Sequence, residues 1–298
     1  VAKRIIQKSA EMNYQPNLIG RGLRTQASKL IGFVSDRIAT TPFAGQMIAG
    51  AQSIAFENHW LLFVANTEGD KAGESEVIQG LLQHNVTGFV YASMFHREIS
   101  VPEEIKDKRI VLLDCFDSSG NFDSVLPDES QGARAAVEYL IERGHQKIAH
   151  ITHAITEPEL QRYAKENRIP FNDEYVAYSS DSHAEDGYIA TKQILKCKVL
   201  PTAIFAFTDR MAMGAYQAIQ EYGLQPGKDI SIVGFDNQPD IASALIPGLT
   251  TVQLPHFEMG VAAAKLLIGQ YGESATKKKS HLIKCRFIER DSVARIKN

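Results

Sequence analysis

From Leu30 onward the apolar positions fall into short continuous runs separated by amphipathic stretches, which is the pattern of strands alternating with helices. Strands are predicted at 30–34, 61–65, 88–92, 110–113, 124–126, 147–151, 203–207, 230–235, 250–254 and 281–289, and helices at 44–58, 74–84, 131–143, 184–195, 210–222 and 257–270. Regular alternation of this kind implies an α/β protein with parallel, doubly wound sheets. The clearest unit spans 201–254. Ala203-Ile-Phe-Ala-Phe207 ends in Thr208-Asp209, a helix follows until Gly223, and Ile230-Ser-Ile-Val-Gly-Phe235 ends in Asp236. The crossover is long enough to make the two strands parallel. Both aspartates then stand at strand carboxyl ends, where open α/β sheets bind ligands. Two carboxylates there suit a ligand rich in hydroxyl donors. Asp236 has a competing role as a cap for the following turn, and Asp209, preceding a helix, has one as an N-cap.

The first 28 residues break the alternation. Residues 1–12 read as a helix with Val1, Ile5, Ile6 and Ala10 apolar and Lys3, Arg4 and Lys8 outward, and Pro16 stops it. Leu18-Ile-Gly-Arg-Gly-Leu-Arg-Thr25 follows, with two glycines that disfavour helix by about 1 kcal/mol each. Its basic residues and its apolar Leu18, Ile19 and Leu23 exceed what a simple linker requires, although a solvated linker with Leu23 packed on the core is the plainer alternative.

Composition narrows the class. A chain of 298 residues suffices for two α/β domains, and 44% hydrophobic with 22% charged residues is ordinary for a globular protein. A net charge of −3 provides no global attraction to nucleic acid, so any such affinity is local. Cys115, Cys197 and Cys285 are far apart and read as buried thiols of a reducing compartment, without a disulfide framework or a zinc site. No apolar run reaches the roughly 20 residues of a membrane helix, and no signal peptide is visible. These features point to a cytoplasmic protein. GxSxG, HExxH, Walker A and strand-linked GxGxxG motifs are all missing, which argues against an enzyme.

Several motifs, in order and at matching spacing, resemble the LacI/GalR class of bacterial transcription regulators. They are Asn13-Tyr-Gln-Pro-Asn17, Gly20-Arg-Gly-Leu-Arg-Thr25, Leu30-Ile-Gly-Phe-Val34 with Thr41-Pro-Phe43, Gly144-His-Gln-Lys-Ile148, Asp209-Arg-Met-Ala-Met-Gly214, Asp229-Ile-Ser-Ile-Val-Gly-Phe-Asp236 and Leu249-Thr-Thr-Val252. The resemblance implies a type I periplasmic-binding-protein-like core of two subdomains with a ligand cleft between them. It places the DNA-binding headpiece remnant and hinge at 1–28, one subdomain at 29–130 plus 255–280, and the other at 131–254 plus 281–298. The chain would cross near Ser130, Leu254 and His281, and the helix-turn-helix would precede Val1.

The resemblance also assigns roles. Leu23 matches a leucine that wedges between base steps in the minor groove, at a cost of a few kcal/mol recovered through added contacts. Arg21 and Arg24 are candidate phosphate contacts, and Asn17 opens the hinge helix. Asp236 matches an effector-binding aspartate. Phe43 matches an aromatic of the pocket loop that stacks on a sugar ring, with core packing as its alternative. Asp209, Asn66, Asp128 and Gln238 are the further effector candidates. Two departures stand out. The family's Arg-x-x-Gly-aromatic motif is missing where Thr156-Glu-Pro-Glu-Leu-Gln-Arg-Tyr163 stands, with Arg162 as a weak substitute, and Ser182 occupies the place of a cleft tryptophan. The expected function is a homodimeric repressor of carbohydrate-utilisation genes. It binds operator DNA and a small sugar, with no cofactor, no metal and no membrane association. The dimer surface is expected near 44–58 and 74–84. A periplasmic sugar-binding protein of the same fold is the nearest alternative and a sugar-active enzyme the more distant one.

Overall fold

The computed structural model describes residues 4, 7, 8, 11, 12, 28–38, 41, 43–153, 172–269 and 279–296. Asn17, Arg21, Leu23 and Arg24 of the hinge, and Thr156 to Tyr163 with Arg162, lie outside the described residues. Arg4, Gln7, Lys8 and Glu11 are helical, as the spacing of residues 1–12 requires.

The chain divides into two compact units, Val1–Leu126 with His256–Ile283 and Pro127–Pro255 with Lys284–Asn298, so it passes from one to the other three times. Unit 1 holds β1 (Leu30–Ser35), α1 (Ala44–Glu57), β2 (Leu61–Asn66), α2 (Lys71–Gln83), β3 (Gly88–Glu98), β4 (Arg109–Phe116), β5 (Asp123–Asp128, whose last two residues fall in unit 2), α7 (His256–Gly269) and β11 (Ser280–Lys284, up to Ile283). Its sheet order is β11-β5-β4-β3-β1-β2. Unit 2 holds α3 (Glu129–Glu142), β6 (Ile148–His153), β7 (Val176–Ser179), α4 (Ala184–Ile194), β8 (Ala203–Ala206), α5 (Asp209–Glu221), β9 (Ser231–Asp236), α6 (Pro239–Ala242), β10 (Thr250–Gln253) and β12 (Arg286–Ile288), with sheet order β12-β10-β9-β8-β6-β7. β1 pairs in parallel with β2 and β3, and β3 with β4; in unit 2 β8 pairs in parallel with β6 and β9, and β9 with β10. In both units the central strands are continuous apolar runs because helices cover both faces.

The structure departs from the sequence reading in particular places. The single strand expected at 281–289 is two strands, β11 in one unit's sheet and β12 in the other's. A period-two pattern cannot say which sheet each half joins. The switch occurs at Cys285, whose N–H leaves the ladder and donates to the Gln131 side chain at 3.0 Å. β12 runs antiparallel to β10, so the unit 2 sheet is not wholly parallel. β7 and α6 were not expected. α2 begins three residues early because Asp70 caps it, accepting the N–H of Gly73 at 2.9 Å.

Among the described residues each unit contains one very close helix crossing. A Cβ on Gly50 of α1 would stand 2.0 Å from the Phe257 carbonyl oxygen of α7, and one on Gly260 would stand 2.1 Å from that of Met47. In unit 2 the same holds for Gly187 against Met211 O at 2.1 Å and Gly214 against Ala184 O at 1.9 Å, which joins α4 to α5. Only glycine lets two backbones approach so closely. These crossings fix the helices that follow β1 and β8, and therefore the loops at those strands' carboxyl ends. Among the described residues no helix is long and apolar enough to cross a membrane, and no group of His, Cys, Asp or Glu could hold a metal ion.

Candidate functional site

In unit 2 the carboxyl ends of β8, β9 and β10 bring three of the expected residues together. Asp236 ends β9 and is half-buried. Its backbone is left-handed, φ 109°, and so is that of Asn237, φ 54°. Such conformations cost about 1–3 kcal/mol for a non-glycine residue and persist only where neighbours enforce them. Gln238, almost fully buried, donates through its side-chain amide to one Asp236 carboxylate oxygen at 3.2 Å. That bond orients the carboxylate and leaves it with capacity for hydroxyl donors. Burial pushes the Asp236 carboxyl well above the usual carboxylate range, the neighbouring charge of Asp209 adds to this, and the Gln238 bond opposes it.

Asp209 is in a different situation. It is completely buried, with one oxygen accepting the Thr251 hydroxyl at 2.6 Å and the other the Gln238 N–H at 2.7 Å. Burial raises its pKa to about 7 against the opposing effect of those two bonds. The helix cap is Thr208, whose hydroxyl accepts the Met211 N–H at 3.2 Å, so the expected N-cap role of Asp209 is corrected: it is the first residue of α5. Both of its oxygens accept bonds inside the protein, and it braces the turn that carries Asp236.

A second set of bonds, invisible as a set in the sequence, holds that turn from the other side. Arg290 donates to the Asn237 side-chain oxygen at 2.7 Å and to the Leu249 carbonyl at 2.7 Å, and its own N–H donates to the Thr250 hydroxyl at 3.0 Å. Asn237 in turn donates to the Gln253 side chain at 3.3 Å. Thr251 lies in the motif Leu249-Thr-Thr-Val252, from which no site role was expected. Nothing local marks Arg290, which is 53 residues from Asn237 in the chain.

Asp128 is the N-cap of α3, accepting the Gln131 N–H at 3.0 Å. That bond satisfies one of the helix's orphan donors.

In unit 1, Phe43 sits half-buried at the start of α1 and stacks on His256, with ring centroids 4.7 Å apart and planes at 23°. Burial lowers the His256 pKa to about 4, so a neutral imidazole faces the ring. Asn66 accepts the Ile38 N–H at 3.1 Å and donates to Glu68. This ties down the loop after β1. Asp36 secures the same loop, accepting the Met94 N–H at 3.2 Å and pairing with Arg97 at 2.7 Å. Asp114, buried near the end of β4 with φ 56°, is a strand-end carboxylate that the sequence reading passed over.

A periplasmic binding protein-like domain family matches residues 137–293. The ribose operon repressor of Haemophilus influenzae is 30% identical over 278 residues, covering 90% of this chain and 82% of that protein. The HTH-type transcriptional repressor PurR of Klebsiella pneumoniae is 30% identical over 294 residues, covering 95% of this chain and 85% of its own. Among solved structures, a LacI-family transcriptional regulator from Rhizobium etli superposes with a TM-score of 0.79 at 30% identity, covering 90% of this chain and all of that one. The lac repressor dimer bound to operator and the anti-inducer ONPF superposes with a TM-score of 0.82 at 26% identity, covering 98% and 89%. Similarity along most of the length, on two α/β units with a polar strand-end site, leads to one assignment: the chain belongs to the LacI/GalR family of transcriptional regulators, built on a periplasmic-binding-protein-like core.

Proposed function

We propose that the chain is the effector-responsive part of a transcriptional repressor of carbohydrate-utilisation genes, and that its effector is a small sugar received by Asp236. The observation that carries this reading is the Asp236–Gln238 pair: a half-buried carboxylate at a strand end, oriented by an amide and held on a left-handed turn. Phe43 offers a flat apolar face of the kind a sugar ring stacks on. The similarity to the ribose operon repressor supports a sugar over other hydroxyl-rich ligands. Asn17, Arg21, Leu23 and Arg24 are proposed as the DNA-contacting hinge, with a second copy of the chain giving the twofold symmetry of a near-palindromic operator. The dimer surface is proposed on α1 and α2, with the exposed Phe56 of α1 as part of it. The protein acts in the cytoplasm without catalysis. A coupling of about 1–3 kcal/mol between effector and operator suffices for the switch.

The Phe43–His256 stack would also accept a planar base, so the screen that tests the effector class compares D-ribose and other sugars with purines by thermal shift. Stabilisation by a sugar and loss of it in Asp236→Ala supports the reading, and stabilisation by purines alone overturns it. For the hinge, Leu23→Ala weakens operator binding without changing sugar affinity. Unchanged operator affinity removes the wedge.

A further inference from the structure

We infer that Arg290 is a positioning residue for the effector site: by gripping Asn237 it holds the turn on which Asp236 presents its carboxylate. This rests on the proposed contact between Asp236 and the effector, and it adds a residue that does not itself touch the effector. Asp236 and Asn237 are consecutive left-handed residues. Two side chains and one backbone bond remove their freedom. The Asn237 amide is held at both ends, its oxygen by Arg290 at 2.7 Å and its nitrogen by Gln253 at 3.3 Å. The next N–H, that of Gln238, is held by Asp209 at 2.7 Å. Arg290 can do this because its planar fork reaches two acceptors at once, the Asn237 oxygen and the Leu249 carbonyl, with both nitrogens at 2.7 Å. A lysine ammonium has no such fixed fork. The segment that carries Arg290 follows directly from β12, and its own N–H is anchored on Thr250 at the start of β10. The guanidinium is therefore tied to the sheet before it reaches the turn.

The test uses the purified chain, with D-ribose followed by calorimetry and amide exchange of residues 236–238 followed without any sugar. Arg290→Lys is expected to speed exchange of the Gln238 amide and to weaken D-ribose binding, each by about tenfold, the loss typical of one hydrogen bond to a charged group. Asn237→Ala is expected to loosen the same amide. Once Asn237 is alanine, Arg290→Met is expected to cost no further affinity, because the two residues act through one contact. Unchanged exchange in Arg290→Lys, or a full additional loss in the double variant, overturns the inference and leaves Arg290 as a strap for β10 alone. If the wild-type chain takes up no D-ribose, ribose falls as the effector, and the exchange comparison still decides the role of Arg290. If Arg290→Lys does not fold, Asn237→Ala carries the exchange measurement, and an unloosened Gln238 amide in it overturns the inference.

Discussion

In unit 1 helices α1 and α7 meet backbone to backbone at Gly50 and Gly260, and in unit 2 helices α4 and α5 meet the same way at Gly187 and Gly214. The strand carboxyl ends are finished differently. In unit 2 a fully buried carboxylate, Asp209, and a half-buried guanidinium fork, Arg290, hold the turn after β9 from two sides. In unit 1 the loop after β1 is held by Asn66 and by an ion pair whose arginine, Arg97, is half exposed. The comparison separates two jobs. Close helix crossings set the scaffold, and any α/β layer can use them. A buried carboxylate at a strand end is expensive unless fully hydrogen-bonded; Asp114 in unit 1 and Asp209 in unit 2 are both buried, and what sets unit 2 apart is a turn held from both sides by side chains.

The largest effect tests the shared part. Gly214→Ala and Gly260→Ala each force a methyl into a backbone carbonyl and should cost about 3 kcal/mol or more, read from urea unfolding. A cost well below that in one unit only would show that the crossings are not equivalent. Next comes Asp209→Ala, which leaves the Thr251 hydroxyl and the Gln238 N–H buried without their acceptor, for a loss of about 2–5 kcal/mol. A smaller loss would mean the turn does not depend on its brace.

The pH response should have opposite signs at the two sites. Asp209 titrates near 7 when folded against an ordinary 3.8, so between these values the folded protein holds a proton that the unfolded chain has lost. Its contribution is complete below about pH 4 and is lost as pH rises through 7. Asp209→Asn should flatten that decline. His256 is lowered from 6.5 to about 4, so its contribution is complete above 6.5 and is lost as pH falls towards 4. His256→Phe should remove that acid-side loss while keeping a ring against Phe43. Because His150 in unit 2 is also lowered to about 4 by burial, each variant's slope is compared with wild type's rather than read from a single curve. If both substitutions change the slope in the same direction, the contrast between the sites fails. The smallest effect is Arg97→Met, which removes a half-exposed pair and should cost about 1 kcal/mol or less by thermal unfolding. A loss as large as that of Asp209→Ala would show that unit 1 relies on its ion pair as unit 2 relies on its buried carboxylate.

Much of the fold was legible because strand and helix periods are local. The runs at Leu30, Ala203 and Ile230 became β1, β8 and β9 within a residue or so. The misses follow from non-local causes. Val176–Ser179 is too short to register as a strand until β6 pairs with it. The stretch at 281–289 divides at Cys285 because two sheets compete for it. At the site, Asp236 and Gln238 were visible from their place after an apolar run. Asp128, Asn66 and Asp209 were strand-end residues of the same appearance, and only the folded structure shows that the first caps a helix and the other two brace turns.

The sequence by itself determined the alternation of strands and helices, the family, and the neighbourhood of Asp236, because each depends on residue types at short, fixed spacings. Which carboxylate is spent and which remains available, and that Arg290 reaches back across 53 residues to hold Asn237, were decided only by the tertiary structure. A side chain's role is set by the donors and acceptors that folding places within about 3 Å of it, and chain distance carries no information about that.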